Sequence, residues 1–386
     1  MKILFEKMNK WVLSIKESKY LSKYLIKYSK EKKYLLILSI ALVIIITAII
    51  STIIIYNKKS KNADELASVS DENAIDNPEN EEIFQTDNEE EKDEFIFPSE
   101  GKRPFAVMID NEGTECLPHG GLDKAQIIYE IIVEGGETRF MPVFWGTEPE
   151  LVGPVRSSRH YFLDYVLEHD AIYIHFGWSP MAMKDIPKLK INNINGVANG
   201  GEIFWDLTKD VNNWQDSYTS MEKIKEYVDR VKYRTESDKK AVFIYNTEDI
   251  EPEEGISAER VEIKYNQLNI SGYIYDRTNC EYSRTRKGKP HMERVTGEQL
   301  KTKNIVIQFV KNYTIPGDKE DRQEVETVGK GKGWFITCGK AVRIEWSKSS
   351  RDGATEYKDE NGNAIKLNPG QTWIQIMPLY GKIEME

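Results

Sequence analysis

Cysteine is scarce, with three residues in a chain of 386, and that excludes a disulfide-dense scaffold or a Cys-rich zinc module. Histidine is scarce too: His119, His160, His169, His175 and His291 are the full set. None forms H-E-x-x-H or another close pair, so no metal site is read from them. Ser157 and Ser158 lack a G-x-S-x-G elbow, and Cys116 lacks a recognised nucleophile context. No D-x-[DN]-x-[DN]-G calcium loop and no internal repeat occur, and nothing specifies a cofactor. An excess of positive charge is also missing. The formal net charge of −10 argues against a nucleic-acid partner. What is abundant is aromatic: 8 Trp, 20 Tyr and 13 Phe imply that most of the chain buries a core.

The net charge hides a sorted chain. Residues 1–61 hold 13 Lys against three Glu, so residues 62–386 carry −20. The sorting pivots on Leu35–Ile55, a run without charge, proline or glycine. As a helix it would span about 31 Å, close to the hydrocarbon thickness of a bilayer. It has no polar face, which argues against a core helix, and no A-x-A site follows it, which argues against a cleaved signal. No cysteine precedes Cys116, so a lipid-modified N-terminal cysteine is not expected. Ten lysines lie before the run and three just after it, which predicts a single-pass signal anchor with a cytoplasmic N-terminus. Leu4, Met8, Trp11 and Ile15 recur at helical spacing in the basic arm, as expected for a helix lying on an anionic leaflet.

The expected organisation is then a basic cytoplasmic arm over 1–34, a transmembrane anchor over 35–56 and a disordered acidic linker over 57–97. A mixed α/β domain over 98–250 and a mostly β domain over 251–386 follow, which makes the fold class α+β. The linker reading rests on 14 Asp/Glu against one Lys within 62–97. Strands are predicted at Phe105–Asp110, Ile127–Val133, Arg139–Trp145, Ala171–Phe176 and Ala241–Tyr245, and helices over Ser157–His169 and Met221–Val231. Beyond Glu251-Pro252-Glu253-Glu254-Gly255, strands are expected at Val261–Tyr265, Ile270–Tyr275, Asn304–Val310, Gly333–Thr337, Ala341–Trp346 and Thr372–Met377.

Chemistry concentrates in Gly153-Pro154-Val155-Arg156-Ser157-Ser158-Arg159. Two arginines beside a predicted helix start suit a phosphate or carboxylate, so Arg156, Ser157, Ser158 and Arg159, with Arg139, are the candidate ligand-binding residues. The competing reading pairs these arginines with acids such as Glu130 or Glu134. Asp110, Glu130 and Glu134 follow apolar runs, where carboxylates can act as acid, base or cation ligand, and His175 ends the strand AIYIHFG. These four are the candidate catalytic groups; ion-paired structural acids and a satisfied core histidine are the alternatives. Trp334, Trp346 and Trp373 with Tyr282 suggest a sugar-stacking surface or, more commonly at strand spacing, core. Cys280 and Cys338 fall where a disulfide is permitted, and the spacing leaves open whether they are within bonding distance.

At these motifs the chain resembles the YerB-like family of bacterial envelope proteins, a domain of unknown function with a C-terminal partner domain. The resemblance rests on Arg103–Asn111, Gly121-Leu122-Asp123-Lys124-Ala125, Tyr129-Glu130, Glu134-Gly135-Gly136 and Thr138-Arg139-Phe140. It continues through Gly153–Arg159, Ala171–His175 and Gly177-Trp178-Ser179-Pro180, then Asn304–Gln308, Gly339-Lys340 and Asn368–Ile374. Typical relatives look like secreted lipoproteins. This chain carries a hydrophobic anchor instead, and the resemblance implies no catalytic assignment. Two functions are therefore expected in competition. One is an anchored extracytoplasmic protein that binds an anionic wall polymer, a precursor or an envelope protein partner. The other is an envelope hydrolase or transferase acting on a phosphorylated glycan or peptidoglycan.

Overall fold

The computed structural model describes residues 95–209, 213 and 215–386. The arm, the apolar run and nearly all of the acidic linker lie outside these residues. Among the described residues no helix is long and apolar enough to cross a membrane.

Glu91–Glu386 is one compact unit, and its spine is a twelve-stranded mixed sheet. From one edge the strands run Ile256–Ser257, Lys340–Lys348, Gly329–Thr337, Asn304–Val310, Thr372–Pro378, Ile127–Ile132, Thr138–Phe144, Phe105–Val107, Ile172–His175 and Asn193–Asn195. The Thr372–Pro378 strand joins the two halves of the sequence. It pairs in parallel with Asn304–Val310 on one side and with Ile127–Ile132 on the other, so that Trp373 lies between Ile305 and Ile128. All its residues are buried, as expected for a parallel strand covered on both faces. A second, six-stranded antiparallel sheet contains Glu281–Arg286, Ile270–Asp276, Arg260–Lys264 and Lys382–Met385 in that order. Its strands alternate cleanly. In Glu281–Arg286 the residues Tyr282, Arg284 and Arg286 point inward, and the inward face covers the middle of the large sheet.

This corrects the expected α+β class. The described residues are mostly β from end to end, and their helices are few and short: Leu163–Glu168, Pro180–Lys188, Gly196–Asn199 and Met221–Val231, with three single 3-10 turns. Met221–Val231 matches its expected bounds, capped by Ser220, whose Oγ accepts from the Lys223 N–H at 3.2 Å. The helix expected over Ser157–His169 is largely replaced. The Arg156 N–H donates to Met108 O at 2.8 Å, the Ser158 N–H donates to Gly177 O at 3.0 Å, and Arg156 O accepts from Phe176 N at 2.9 Å. Those bonds hold 154–158 extended between two sheet strands, so helix begins only after Arg159, as a 3-10 turn and then Leu163–Glu168. The apolar spacing of Tyr161, Phe162, Tyr165 and Val166 is satisfied by that short pair of turns, and all four are buried.

The aromatic residues resolve as core. Trp373 and Tyr282 are fully buried, Trp346 is buried, and Trp334 packs partly buried against the same cluster.

Candidate functional site

The arginine run forms a cluster at the ends of the Phe105–Val107 and Ile172–His175 strands. Asp110 and Arg139 are cross-strand partners, which brings Arg139 beneath the extended 154–158 segment. Its Nη1 donates to Ser157 O at 2.5 Å, and its buried Nε has no acceptor. Arg156 Nε lies 3.1 Å from Asp110 Oδ2, and its Nη2 lies 3.6 Å from Glu112. Arg159 grips Glu134 with a bidentate fork at 2.5 and 2.8 Å and also donates to Ser158 O at 2.9 Å. Burial, with Arg159 next, lowers Arg139 to about 10. Burial alone would raise the Glu134 carboxyl; the Arg159 fork outweighs it and holds the group below its ordinary range. Ser158 is buried and accepts from Tyr173 OH at 2.9 Å. The helix N-terminus expected to complete an anion site is not at Ser157, because the backbone there is extended.

Glu130 pairs with Arg284 instead of this cluster, and His175 borders the cluster through Gly177 O and Tyr173. His175 is fully buried between Gly177 O (2.7 Å) and the Asn193 side chain (3.1 Å), stacked on Tyr173. Burial lowers its pKa, so it sits as a neutral core histidine. Glu130 points from the Ile127–Ile132 strand into the second sheet. It accepts from Arg284 Nη2 at 2.7 Å, from Thr138 Oγ1 at 2.9 Å and from Ser271 Oγ at 3.2 Å. Arg284 is fully buried with its guanidinium carbon 4.0 Å from the Trp373 ring centroid.

From Arg284 a chain of histidines runs back toward the arginine cluster, and its direction follows from donor inventory. Arg284 Nη1 can only donate, so the His291 Nδ1 it meets is an acceptor. Asp110 O can only accept, so His119 Nε2, 2.7 Å away, carries a proton. The remaining contact, His119 Nδ1 to His291 Nε2 at 2.7 Å, is then donated by His291. Both rings are neutral in this pattern, in keeping with burial, which lowers His119 to about 3 and His291 well below the ordinary value. Arg284 was not among the sequence candidates. The signal was available in the alternation of Tyr282, Ser283, Arg284, Thr285 and Arg286, which puts two arginines on one face with a tyrosine.

A large open space lies elsewhere. A groove of about 780 Å³ runs between the residues around Asp123–Gln126 and Gly146–Glu148 on one wall and Asn279, Glu281, Glu293–Lys303 and Pro369–Gln371 on the other, with Phe95 and Ile96 at one end. Gln371 braces it, donating from Nε2 to Leu122 O at 2.7 Å and Ala125 O at 2.9 Å. Glu293 is spent on backbone: it accepts from Gly121 N at 2.7 Å and Thr296 N at 2.8 Å. Asp123, in the 3-10 turn Leu122–Lys124, is exposed to the groove but walled by protein. That desolvation, with Glu293 second, pushes its carboxyl up to about 6. Sequence reasoning passed over Asp123 as a functional group, although it sits in the Gly121–Ala125 motif. Its raised pKa has a direct consequence. The fold disfavours the ionised form, so the associated stability is full at low pH and is lost as pH rises through about 6. Asp123→Asn is expected to stabilise the protein at neutral pH by less than about 1 kcal/mol, solvent screening limiting the gain. Below the ordinary value of 3.8, where the carboxyl is protonated in both the folded and the unfolded state, the gain should vanish. Urea midpoints at the two pH values check this, and an equal shift at both would refute it.

No group of three or more His, Cys, Asp or Glu among the described residues could hold a metal ion. Comparison with known proteins places the chain. The family described as "Protein of unknown function (DUF3048) N-terminal domain" matches residues 52–234, and its C-terminal domain matches 261–374. A Bacillus subtilis (strain 168) protein named "Putative lipoprotein YerB" is 32% identical over 280 residues, covering 72% of this chain and 82% of that one. The crystal structure of YerB from Bacillus subtilis superposes with a TM-score of 0.65 at 29% identity, covering 74% of this chain and 94% of that chain. Both domain matches, together with a relative aligned over most of its own length, make this chain a member of the DUF3048 family to which the YerB-like proteins belong.

Proposed function

We propose that this protein is an extracytoplasmic envelope module that binds rather than transforms its ligand. In this reading the Leu35–Ile55 run holds it at the membrane with its N-terminus in the cytoplasm. The lipoprotein name of its Bacillus subtilis relative supports the same side of the membrane. One observation carries the binding reading. The chain's large open space is the groove of about 780 Å³ whose walls come from both matched domains. The carboxylates considered for catalysis are instead committed to arginines, Asp110 to Arg156, Glu130 to Arg284 and Glu134 to Arg159. The groove is within the size range of specific ligand sites. Its wall sets Asp123, Glu148, Glu281, Glu293 and Glu298 against Lys124, Lys301 and Lys303. That balance suits an extended glycan or peptide segment of the wall carrying both polar and cationic groups, rather than a purely anionic polymer.

A second site has one specific observation in its favour. Arg139, Arg156 and Arg159 repel one another around Ser157, and the enclosed Arg139 Nε lacks an acceptor. An anionic ligand would relieve both.

The test is binding of the full chain in detergent to isolated peptidoglycan and to a phosphate-bearing wall polysaccharide. Glu298→Trp puts a bulky side chain on the exposed groove wall and is expected to weaken binding about tenfold or more. Arg156→Ala, if folded, is expected to bind like wild type. The reverse pattern would move the ligand to the arginine cluster and overturn the groove reading.

A further inference from the structure

Two of the three cysteines lie in turns that touch across the seam between the sheets. Cys280 sits in the turn between the Ile270–Asp276 and Glu281–Arg286 strands, and Cys338 in the turn between Gly329–Thr337 and Lys340–Lys348. The first turn belongs to the six-stranded sheet and the second to the twelve-stranded one. Each cysteine has a left-handed backbone, with φ of 50° and 47°, and Gly339 beside Cys338 is left-handed as well, so each side chain leaves its hairpin at a fixed angle.

Independent contacts hold the two turns face to face. The Gly339 N–H donates to Tyr282 OH at 2.9 Å. Tyr275, whose ring centroid is 5.1 Å from that of Tyr282, presses so closely on the second turn that a Cβ at Gly339 would lie 2.9 Å from it. Lys303 bridges the neighbours of both cysteines, its Nζ donating to Asn279 O at 2.7 Å and its own carbonyl accepting from Thr337 Oγ1 at 3.0 Å. Within this clamp burial, and after it the neighbouring Cys280 thiol, raise the Cys338 thiol. Asn368 Nδ2 donates to the Cys338 sulfur at 3.2 Å. Cys338 is buried while Cys280 is partly open to solvent.

We infer that Cys280 and Cys338 are a redox pair that closes to a disulfide and staples the two sheets together beside the groove. Attack begins at the open member. The Cys280 thiolate attacks a sulfur of a low-molecular-weight disulfide or of an oxidised thiol oxidoreductase, and the thiol leaving from that disulfide departs. Cys338 then gives its proton to solvent and attacks Cys280 Sγ in the mixed disulfide, releasing the second thiol. The protein loses two hydrogens and one external disulfide becomes two thiols. Burial raises the Cys338 thiol to about 11, which slows this closing step. Cys116 takes no part: it is fully buried, and burial with Asp110 next raises it to about 12. Asn279 and Lys303 belong to the groove wall, so closing the bridge fixes that wall. Whether oxidant reaches the pair in the cell rests on the extracytoplasmic placement proposed above; whether the pair can close does not.

The test uses the full chain in detergent, reduced and then equilibrated with oxidised glutathione, denatured and alkylated. The expected product has lost the mass of two hydrogens and takes up one alkyl group, on Cys116, where the reduced chain takes up three. A peptide map should link Cys280 to Cys338, and Tm should rise by several degrees. Cys116→Ser should still form the bridge, whereas Cys280→Ser and Cys338→Ser should not. Three alkylated thiols after oxidation, a bridge involving Cys116, or a glutathione adduct that persists on Cys280 would each overturn the assignment. Bridge formation with no change in ligand binding would leave the redox pair standing and count only against the groove.

Discussion

Arg284→Met is expected to destabilise the fold by about 3–5 kcal/mol, the cost of removing one partner from a buried ion pair. The guanidinium is fully buried and makes four polar contacts: to Glu130, Ser271, Tyr273 and His291. It also lies over Trp373 on the strand that joins the two halves of the large sheet. Burial would lower its pKa, but Tyr273 and Glu130 more than offset that and raise it, so the folded state holds it charged. Methionine keeps much of the stem's volume and removes the charge. Glu130 would retain only the Thr138 and Ser271 hydroxyls, and His291 Nδ1 would lose its donor. Glu130→Gln together with Arg284→Met is expected to recover more than half of the loss, because no unpaired charge then remains. Denaturant titrations of the two single variants and the double give the coupling directly. A cost below about 1 kcal/mol for Arg284→Met would mean that the pair is not what holds the second sheet onto the first.

The same residues show what the sequence could and could not convey. Buried strands were legible because their runs are apolar and bounded by turns, and Asn304–Val310 emerges with its expected bounds. The extended path of 154–158 was not legible: Tyr161, Phe162, Tyr165 and Val166 carry helical spacing, while the bonds that straighten Arg156 and Ser158 come from Met108, Phe176 and Gly177. Long-range backbone pairing of that kind leaves no local trace. The joining of both halves in one sheet was hidden for the same reason, since Thr372–Pro378 finds Ile127–Ile132 across more than half the chain. At the candidate site, the pairing of Arg159 with Glu134 stood among the alternatives because both residues were already singled out. Arg284 as the partner of Glu130 lay outside them, 154 positions away.

The buried histidines make the protein acid-sensitive at a pH where ordinary carboxylates are still ionised. Burial lowers His119 to about 3 and His169 to about 4, and lowers His175 and His291 in the same direction, from an ordinary value of 6.5. Below that value each unfolded histidine takes up a proton that the folded one refuses. The unfolded state thus binds more protons, and stability falls with falling pH by roughly 1.4 kcal/mol per pH unit for each such group. With four groups acting together, several kcal/mol should be lost between about pH 6.5 and pH 5. Asp123 and Asp164 work the other way, since both are raised and take up protons earlier in the folded state. They soften the slope without reversing it, because Asp123 is solvent-screened and Asp164 is held by Thr327 and Arg351. Unfolding free energies from urea titrations across this range give the slope, which counts protons whatever the absolute stability. His169→Gln should therefore reduce the slope by about one proton even though it costs stability at neutral pH by disturbing the Tyr129 contact. A flat profile from neutral pH to about 5 would mean that these rings are already charged in the folded state, and the donor order deduced for His119 and His291 would fall with it.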